Sequence, residues 1–207
     1  GAQRTEMMEA IFGMRHIASG TVEVLGKKVD IKKPEDAIDN SIGMITEDRR
    51  GTGILGCLSI NDNTAIASYK NYTNAGVIDQ KKVDAVVKDS IQKLNIKTPS
   101  GKTLIQSLSG GNQQKVIFGK WLERSPNVFM MDDPTRGIDV GAKYEIYELI
   151  INMAKQGKTI IVVSSEMPEI LGITNRIGVM SNGHLAGIVN TKETNQEELL
   201  RLSAKYL

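Results

Sequence analysis

The chain has 207 residues, of which 40% are hydrophobic, and its 26 basic and 24 acidic residues leave a formal net charge of +2. This length and composition predict one ordinary domain, at most with an inserted subdomain, and exclude wholesale disorder. The near-neutral charge argues against a protein that binds nucleic acid through bulk basicity. A single cysteine, Cys57, excludes an internal disulfide, and no apolar run approaches the roughly 20 residues of a bilayer-spanning helix. We therefore expect a soluble intracellular domain.

The first half of the chain combines short strand and helix patterns with a glycine-rich interruption. Two short alternating segments flank Gly26-Lys27 and predict a β-hairpin, and the apolar run from Ile42 to Ile45 predicts a buried strand. Glycines and charged residues between Glu47 and about Leu58 predict a loop. The other elements predicted before residue 101 are helices over 4–14, 35–39, 61–69 and 80–95.

From residue 112 onward helix and strand patterns alternate, which predicts a mostly parallel sheet with right-handed crossovers. The predicted elements are helices over 112–124, 142–156, 169–171 and 195–205, and strands over 127–132, 159–164, 176–180 and 184–189. The helical middle third interrupts this alternation. We therefore predict an α/β core built from residues 1–46 and 120–207, with an inserted helical subdomain over residues 47–119.

Ser109, Gly110 and Gly111 lie at the start of the helix predicted next, within the run SLSGGNQQK. Two glycines after a serine allow a phosphate to approach the backbone closely, where the first N–H groups of a helix are unpaired. The same residues also make an ordinary helix N-cap with glycine for a tight turn. Spacing alone leaves both interpretations open.

Asp132 and Asp133 follow an apolar strand directly. Carboxylates at the carboxyl end of a parallel strand stand where α/β folds bind ligands. One of them could hold Mg²⁺ and the other could orient an attacking water. An acidic junction between a strand and the turn at Pro134 is the alternative without a ligand.

In this order and spacing, the two motifs resemble the signature loop and the Walker B strand of ATP-binding cassette (ABC) ATPases. Residues 136–139, Arg-Gly-Ile-Asp, are similar to the family's D-loop, which places Asp139 near the nucleotide. The resemblance implies a P-loop NTPase-like core, with ATP and Mg²⁺ as cofactors. It also implies that Asp132 binds the metal.

The first five residues resemble the tail of a P-loop, G-x-x-x-x-G-K-[ST]. In that alignment Gly1 and Ala2 belong to the phosphate loop, Gln3 takes the position of its last glycine, Arg4 that of the lysine, and Thr5 that of the Mg²⁺-binding hydroxyl. The resemblance implies that the strand before this loop lies upstream of Gly1. We therefore expect the sequence to be part of a longer chain, and the isolated piece to bind ATP poorly.

Three catalytic positions depart from the family pattern. Glu47 stands where a glutamine is expected, Asp133 where a glutamate is usual, and Ser165 where the switch histidine is expected. Arg4 keeps a positive charge without the compact geometry of lysine. Each change is expected to cost one to a few kcal/mol of transition-state stabilisation, where about 1.4 kcal/mol is tenfold in rate. The resemblance therefore implies a degenerate ATP site that binds nucleotide weakly or hydrolyses it slowly.

The motifs GAQRTE, EDR, LSGGNQQK, DDPTRGIDVGAK and SSEMPEIL resemble the second half of the double ATPase subunit of bacterial monosaccharide importers, most closely the galactose/methyl-galactoside type. The resemblance implies that the signature loop completes an ATP site on the N-terminal half of the same polypeptide. It further implies transmembrane permease subunits as partners, indirect coupling to a periplasmic sugar-binding protein, and a peripheral position on the cytoplasmic face of the inner membrane. No nucleic-acid partner is expected.

Two other functions remain open at this stage. One is an ABC ATPase that acts on ribosomes or DNA and not in transport, although members of that kind usually keep intact catalytic residues. The other is an interaction module that supplies its signature loop and binds no nucleotide of its own.

Overall fold

The computed structural model describes residues 2–207, and its centre is a three-stranded parallel sheet. The strands β3 (Ile42–Ile45), β6 (Val128–Asp132) and β7 (Thr159–Val163) lie in the order β3-β6-β7. Ile42 pairs with Val128, and Val128 pairs with Thr159, so the three strands end at the same edge. The residues of β3 are all buried, as expected for a continuous apolar run covered on both faces. The α/β class is therefore confirmed.

Helices and short hairpins surround this sheet. In chain order they are α1 (Arg4–Ile11), β1 (Val22–Val24), β2 (Lys27–Val29), α2 (Pro34–Asp39), a π-helical turn (Arg49–Gly53), α3 (Ile60–Ala65), α4 (Tyr69–Tyr72), β4 (Thr73–Asn74), β5 (Val77–Ile78), α5 (Gln80–Lys93), α6 (Gly110–Arg124), α7 (Val140–Lys155), α8 (Met167–Ile173), β8 (Arg176–Ser181), β9 (His184–Asn190) and α9 (Gln196–Ser203). No helix within residues 2–207 is both long enough and apolar enough to cross a bilayer.

In the hydrophobic core, aromatic side chains join the sheet to α6 and to the end of α1. Trp121 of α6 makes edge-on contact with Phe12, with 5.9 Å between ring centroids, and a tilted contact with Phe129 of β6. Such aromatic pairs contribute about 0.5–1.5 kcal/mol beyond the area that they bury. Because α6 begins at the signature loop, this contact fixes the helix that carries the loop onto the sheet.

The segment over residues 47–119 is mostly helical, and α6 packs against α3 and α5. Gly119 allows the close approach of α5, since a Cβ atom there would lie 2.5 Å from the Oγ atom of Ser90. The predicted boundaries of this subdomain stay a prediction.

Three local predictions were wrong in detail, and one hairpin was not predicted. The loop after β3 contains the π-helical turn, and the helix predicted over 61–69 is divided by a 3-10 turn at Ile66–Ser68. The β4–β5 hairpin has exposed strands of two residues, which are too short to give a periodic signal. The turn between β1 and β2 is at Leu25-Gly26, one residue earlier than predicted, because both residues adopt positive φ angles there.

A cavity of about 750 Å³ separates the parallel sheet from the β8–β9 hairpin. Within the described residues β7 is paired with β6 alone, and β8 with β9 alone. Both strands therefore turn an unpaired edge toward the cavity, and Ala2 and Arg4 lie at its wall.

Candidate functional site

Five predicted site residues meet at the carboxyl end of the parallel sheet. The Arg4 Nη1 atom donates to the carbonyl oxygen of Ser164 at 2.7 Å, which joins the start of α1 to the end of β7. The Ser165 backbone N–H donates to the Oδ1 atom of Asp133 at 3.1 Å. Burial raises the pKa of Asp132 and a hydrogen bond with the Thr5 hydroxyl opposes that rise, so Thr5 and Asp132 face each other. The predicted position of the acidic pair at a ligand-binding edge agrees with this arrangement.

Asp132 is the most deeply buried of these residues, with 1% of its surface exposed. Its Oδ2 atom has no hydrogen-bond partner among the described residues. Burial raises the pKa of Asp132 above its usual range, while Thr5 and Arg4 oppose that rise. An unpartnered buried carboxylate oxygen is costly unless a cation or a donor reaches it.

The pair Thr5 and Asp132 fits Mg²⁺. A hydroxyl and a carboxylate are the oxygen ligands that this ion takes, together with water and substrate phosphates. Within residues 2–207 no cluster of three or more His, Cys, Asp or Glu side chains could hold a metal by itself. A magnesium ion at this edge would therefore need phosphate oxygens or water to complete its coordination.

Asp133 adopts a left-handed backbone conformation, with a φ angle of 41°. This conformation is sparsely populated by residues other than glycine, and aspartate tolerates it better than most. The Asp133 backbone N–H donates to the Val163 carbonyl oxygen at 2.9 Å, which ties the turn to β7. As a result the Asp133 carboxylate points to Ser165, and the two predicted catalytic positions lie side by side.

The start of α1 departs from an ordinary helix N-terminus. Gln3 is the N-cap in a left-handed conformation, and its side chain does not cap the helix. Its amide instead lies against the turn at Gly183, where an added Cβ atom would be 2.6 Å from Gln3 Oε1. Gly1 lies outside the described residues. The first turn of α1 therefore keeps its backbone donors free of a side-chain cap.

The signature loop forms a second cluster at the start of α6. Ser109 caps that helix, since its Oγ atom accepts hydrogen bonds from the backbone and side chain of Asn112. A Cβ atom on Gly110 would lie 3.0 Å from the Arg49 Nη2 atom, and one on Gly111 would lie 2.6 Å from the Ala142 Cβ atom. The glycines thus allow α6 to approach α7 and the turn after β3. The N-cap interpretation is confirmed, and Ser109 remains exposed.

Glu47 and Asp139 are placed near this second cluster. Glu47 forms an ion pair with Arg136. Asp139 is the N-cap of α7, and its Oδ1 atom accepts from the Ala142 backbone N–H at 3.0 Å. That cap contributes about 1 kcal/mol to the helix. The predicted roles of Glu47 in catalysis and of Asp139 in nucleotide binding stay predictions.

Sequence reasoning missed Glu169, which joins the segments that follow β6 and β7. Its carboxylate accepts hydrogen bonds from Thr135 Oγ1, at 2.7 Å, and from Ser164 Oγ. Only 5% of Glu169 is exposed. The only signal in the sequence is a charged residue among the apolar residues of a short helix, and this signal does not identify the partners.

Comparison with known proteins agrees with this geometry. The family model described as ABC transporter matches residues 1–136. The chain is 58% identical over 207 residues to the galactose/methyl galactoside import ATP-binding protein MglA of Treponema denticola, and 54% identical over 208 residues to that of Clostridium perfringens. These matches cover 100% of the chain and 42% and 40% of the relatives. The chain thus spans about two fifths of the length of the curated relatives that it matches.

Solved structures show the same fold. A dimeric ATP-binding cassette in a post-hydrolysis state, bound to ADP and Pi, aligns with a TM-score of 0.76 at 17% identity, and the alignment covers 92% of this chain and 81% of that chain. An ATP-binding cassette of an ABC transporter aligns with a TM-score of 0.80 at 16% identity, with 97% and 83% covered. The predicted P-loop NTPase-like core is therefore confirmed.

Proposed function

The chain belongs to the ABC transporter family, and from that premise we propose that it is one ATP-binding half of the double ATPase subunit of a sugar importer. The observation that carries the proposal is the Asp132 carboxylate, which is buried at the end of the sheet beside Thr5 with one oxygen unpartnered. This arrangement suits a magnesium ion that accompanies a nucleotide phosphate.

Within this half, each residue at the end of the sheet has a defined task. Thr5 and Asp132 would hold Mg²⁺, while Ala2, Gln3, Arg4 and the uncapped first turn of α1 would meet the phosphates. Bound Mg²⁺ supplies charge neutralisation at the β- and γ-phosphates. Asp133 faces the attacking water, and Ser165 orients Asp133 through its backbone N–H.

The site is proposed to be degenerate, because Arg4, at the position of the P-loop lysine, and Ser165, at the position of the switch histidine, are poorly suited to hydrolysis. The Arg4 guanidinium is hydrogen-bonded to the Ser164 carbonyl oxygen, which draws it toward β7. Ser165 carries no charge that could stabilise a γ-phosphate in the transition state. Slow hydrolysis in this half follows from both features.

The cavity between β7 and β8 supports the expectation of a P-loop strand upstream of Gly1. Its two unpaired strand edges are suited to one further parallel strand, whose backbone groups would then be satisfied on both sides. Ala2 and Arg4 line the same cavity, so a strand there would lead directly into the phosphate loop.

Titration calorimetry of residues 1–207, and of a longer protein that includes the upstream strand, tests this placement. ATP with Mg²⁺ is expected to bind the longer protein at least tenfold more tightly. Tight binding by residues 1–207 alone would contradict the placement.

The signature loop serves a different nucleotide. Ser109 is exposed at the N-terminus of α6, with Gly110 and Gly111 behind it. A helix N-terminus with an exposed hydroxyl is suited to bind the γ-phosphate of ATP that another half presents. We assign that half to the N-terminal part of the same polypeptide, whose ATP site would be the competent one.

Ser109→Arg in the longer two-half protein tests the composite site. The side chain is exposed, so arginine can be accommodated with loss of the cap that Ser109 provides to α6, but it stands where the partner's phosphate must dock. ATP turnover is expected to fall more than tenfold. Ser107→Arg is the matched control, because it places the same side chain on an exposed serine two residues earlier. Unchanged turnover in Ser109→Arg would refute the composite site.

The relatives' names supply the proposed cargo and surroundings. Import ATP-binding proteins for galactose and methyl galactoside are similar to this chain over its full length. We assign the chain to the cytoplasmic face of the bacterial inner membrane, bound to permease subunits and coupled through them to a periplasmic sugar-binding protein, with no nucleic-acid partner. Co-purification with membrane subunits tests this assignment, and co-purification with ribosomes would favour the non-transport alternative.

The departures at Gln3 and Arg4 favour a second candidate, in which this half supplies its signature loop and binds no nucleotide itself. Calorimetry with ATP and Mg²⁺ on the longer protein, with the partner's ATP site inactivated, separates the two functions. Micromolar binding would exclude the second candidate, and loss of all binding would support it.

A further inference from the structure

We propose that Arg49 and Lys120 are positioning residues that hold the signature loop to the π-helical turn after β3, so that the turn and the loop move as one unit. This inference rests on the proposed function, since it concerns the loop that would meet the partner's ATP. The two residues secure opposite ends of the contact between the turn and α6.

Arg49 makes the contact at the N-terminal end of α6. Its Nη1 atom donates to the Arg136 carbonyl oxygen at 3.4 Å, and its Nη2 atom lies where a Cβ atom on Gly110 would be 3.0 Å away. The Nε atom is buried without a partner among the described residues. The Arg49 guanidinium thus donates to the Arg136 carbonyl oxygen and lies against Gly110 of the signature loop.

Lys120 makes the contact about 15 Å further along α6, given a rise of about 1.5 Å per residue. Its Nζ atom donates to the Gly53 carbonyl oxygen at 2.8 Å, at the last residue of the turn. A Cβ atom on Gly53 would lie 2.9 Å from Ile117 Cδ1, one turn of α6 earlier. The end of the turn therefore lies directly on the helix surface.

The turn itself is closed by its own hydrogen bonds. The Asp48 carboxylate accepts from the Gly51 N–H at 2.9 Å, and the Thr46 and Thr52 hydroxyls are hydrogen-bonded at 2.6 Å. The Asp48 carbonyl oxygen accepts from the N–H groups of Thr52 and Gly53. Because the turn is internally closed and follows β3 directly, a displacement of the turn displaces α6 with it. Short π-helical segments are often found at functional sites.

Steady-state ATP hydrolysis by the longer two-half protein, assembled with its permease, tests the inference. Arg49→Ala is expected to lower kcat about tenfold and to change KM for ATP less than about twofold, because a misplaced signature loop weakens the closed state and not the first binding of ATP. Arg50→Ala is the matched control, since it removes an adjacent exposed arginine. Its kcat is expected to equal that of the unmodified protein.

Further variants separate positioning from folding. Lys120→Met is expected to lower kcat as Arg49→Ala does, and the two changes together are expected to act less than additively, because they release the same contact. If Arg49→Ala lowers the unfolding temperature, Arg49→Lys tests the positioning role in its place. Lysine keeps the positive charge but lacks the planar guanidinium group that contacts two segments at once. A reduced kcat in Arg49→Lys supports the inference.

The outcomes distinguish this inference from the proposed function. Where Ser109→Arg has abolished turnover, an unchanged kcat in Arg49→Ala overturns the positioning role. If Arg49→Ala is less stable, an unchanged kcat in Arg49→Lys does the same. An unchanged kcat in Ser109→Arg itself overturns the composite site. Equal losses in Arg49→Ala and Arg50→Ala would indicate a general effect of charge and would also overturn the positioning role.

Discussion

Lys120 is half-buried, with its amino group hydrogen-bonded to the Gly53 carbonyl oxygen, and the titration of this group should be visible in the stability. Burial lowers the pKa of Lys120 from 10.5 to about 8. Between these values the unfolded chain holds a proton that the folded chain has released, so the free energy of unfolding rises with pH. Since a factor of ten in proton affinity is about 1.4 kcal/mol, the full difference corresponds to about 3 kcal/mol.

Lys120→Met removes this titration. Urea unfolding of the protein and of the variant between pH 7.5 and 10 measures the difference directly. The free energy of unfolding of the unmodified protein is expected to rise about 2–3 kcal/mol more than that of the variant over this range. The raised pKa values of Tyr69 and Tyr72 affect both proteins equally.

Lys81→Met is the control, since Lys81 is exposed on α5 and the change also removes one lysine. Its stability is expected to follow that of the unmodified protein at every pH. If the curves of the protein and of Lys120→Met stay parallel from pH 7.5 to 10, the pKa of the Lys120 amino group is not lowered in the folded protein. The reasoning from burial would then be refuted.

Three further changes probe the packing and the site. Gly111→Ala is expected to destabilise the protein by about 1–3 kcal/mol in urea unfolding, because its Cβ atom would lie 2.6 Å from Ala142 Cβ, whereas an equal stability would mean that α6 and α7 separate easily. Glu169→Ala is expected to cost about 1–3 kcal/mol, since Thr135 and Ser164 lose their acceptor, and Glu169→Gln should cost less. Asp132→Asn is expected to raise the thermal midpoint at pH 7 and to leave it unchanged below pH 4, because the raised pKa of Asp132 means that its ionised form destabilises the fold. Equal effects at both pH values would contradict a buried carboxylate.

The strands of the sheet and the position of the acidic pair after β6 could be predicted together from the sequence. The apolar residues of β3 and β6 predict strands that are covered on both faces, and the acidic pair directly after β6 then has to lie at the edge of the sheet. Ser109, as a serine before two glycines and a helix pattern, likewise predicts its N-cap without any tertiary information. These features depend on neighbours in the sequence.

The contacts that hold the loops together depend on neighbours in space. Arg49 and the Arg136 carbonyl oxygen are 87 positions apart, Lys120 and the Gly53 carbonyl oxygen are 67 apart, and Glu169 reaches Thr135 across 34. Nothing in the local pattern around Glu169 or Lys120 distinguishes a buried or half-buried charged residue from an exposed one.

The sequence alone therefore determined most of the longer strands and helices, since hydrophobic periodicity and capping are local properties, whereas it missed the β4–β5 hairpin and misplaced several element ends. Only the tertiary structure decided that Arg4 reaches Ser164, that Glu47 pairs with Arg136, and that a cavity separates β7 from β8. The reason is physical, because side-chain contacts between distant segments follow from how the elements pack and not from the pattern within any one of them.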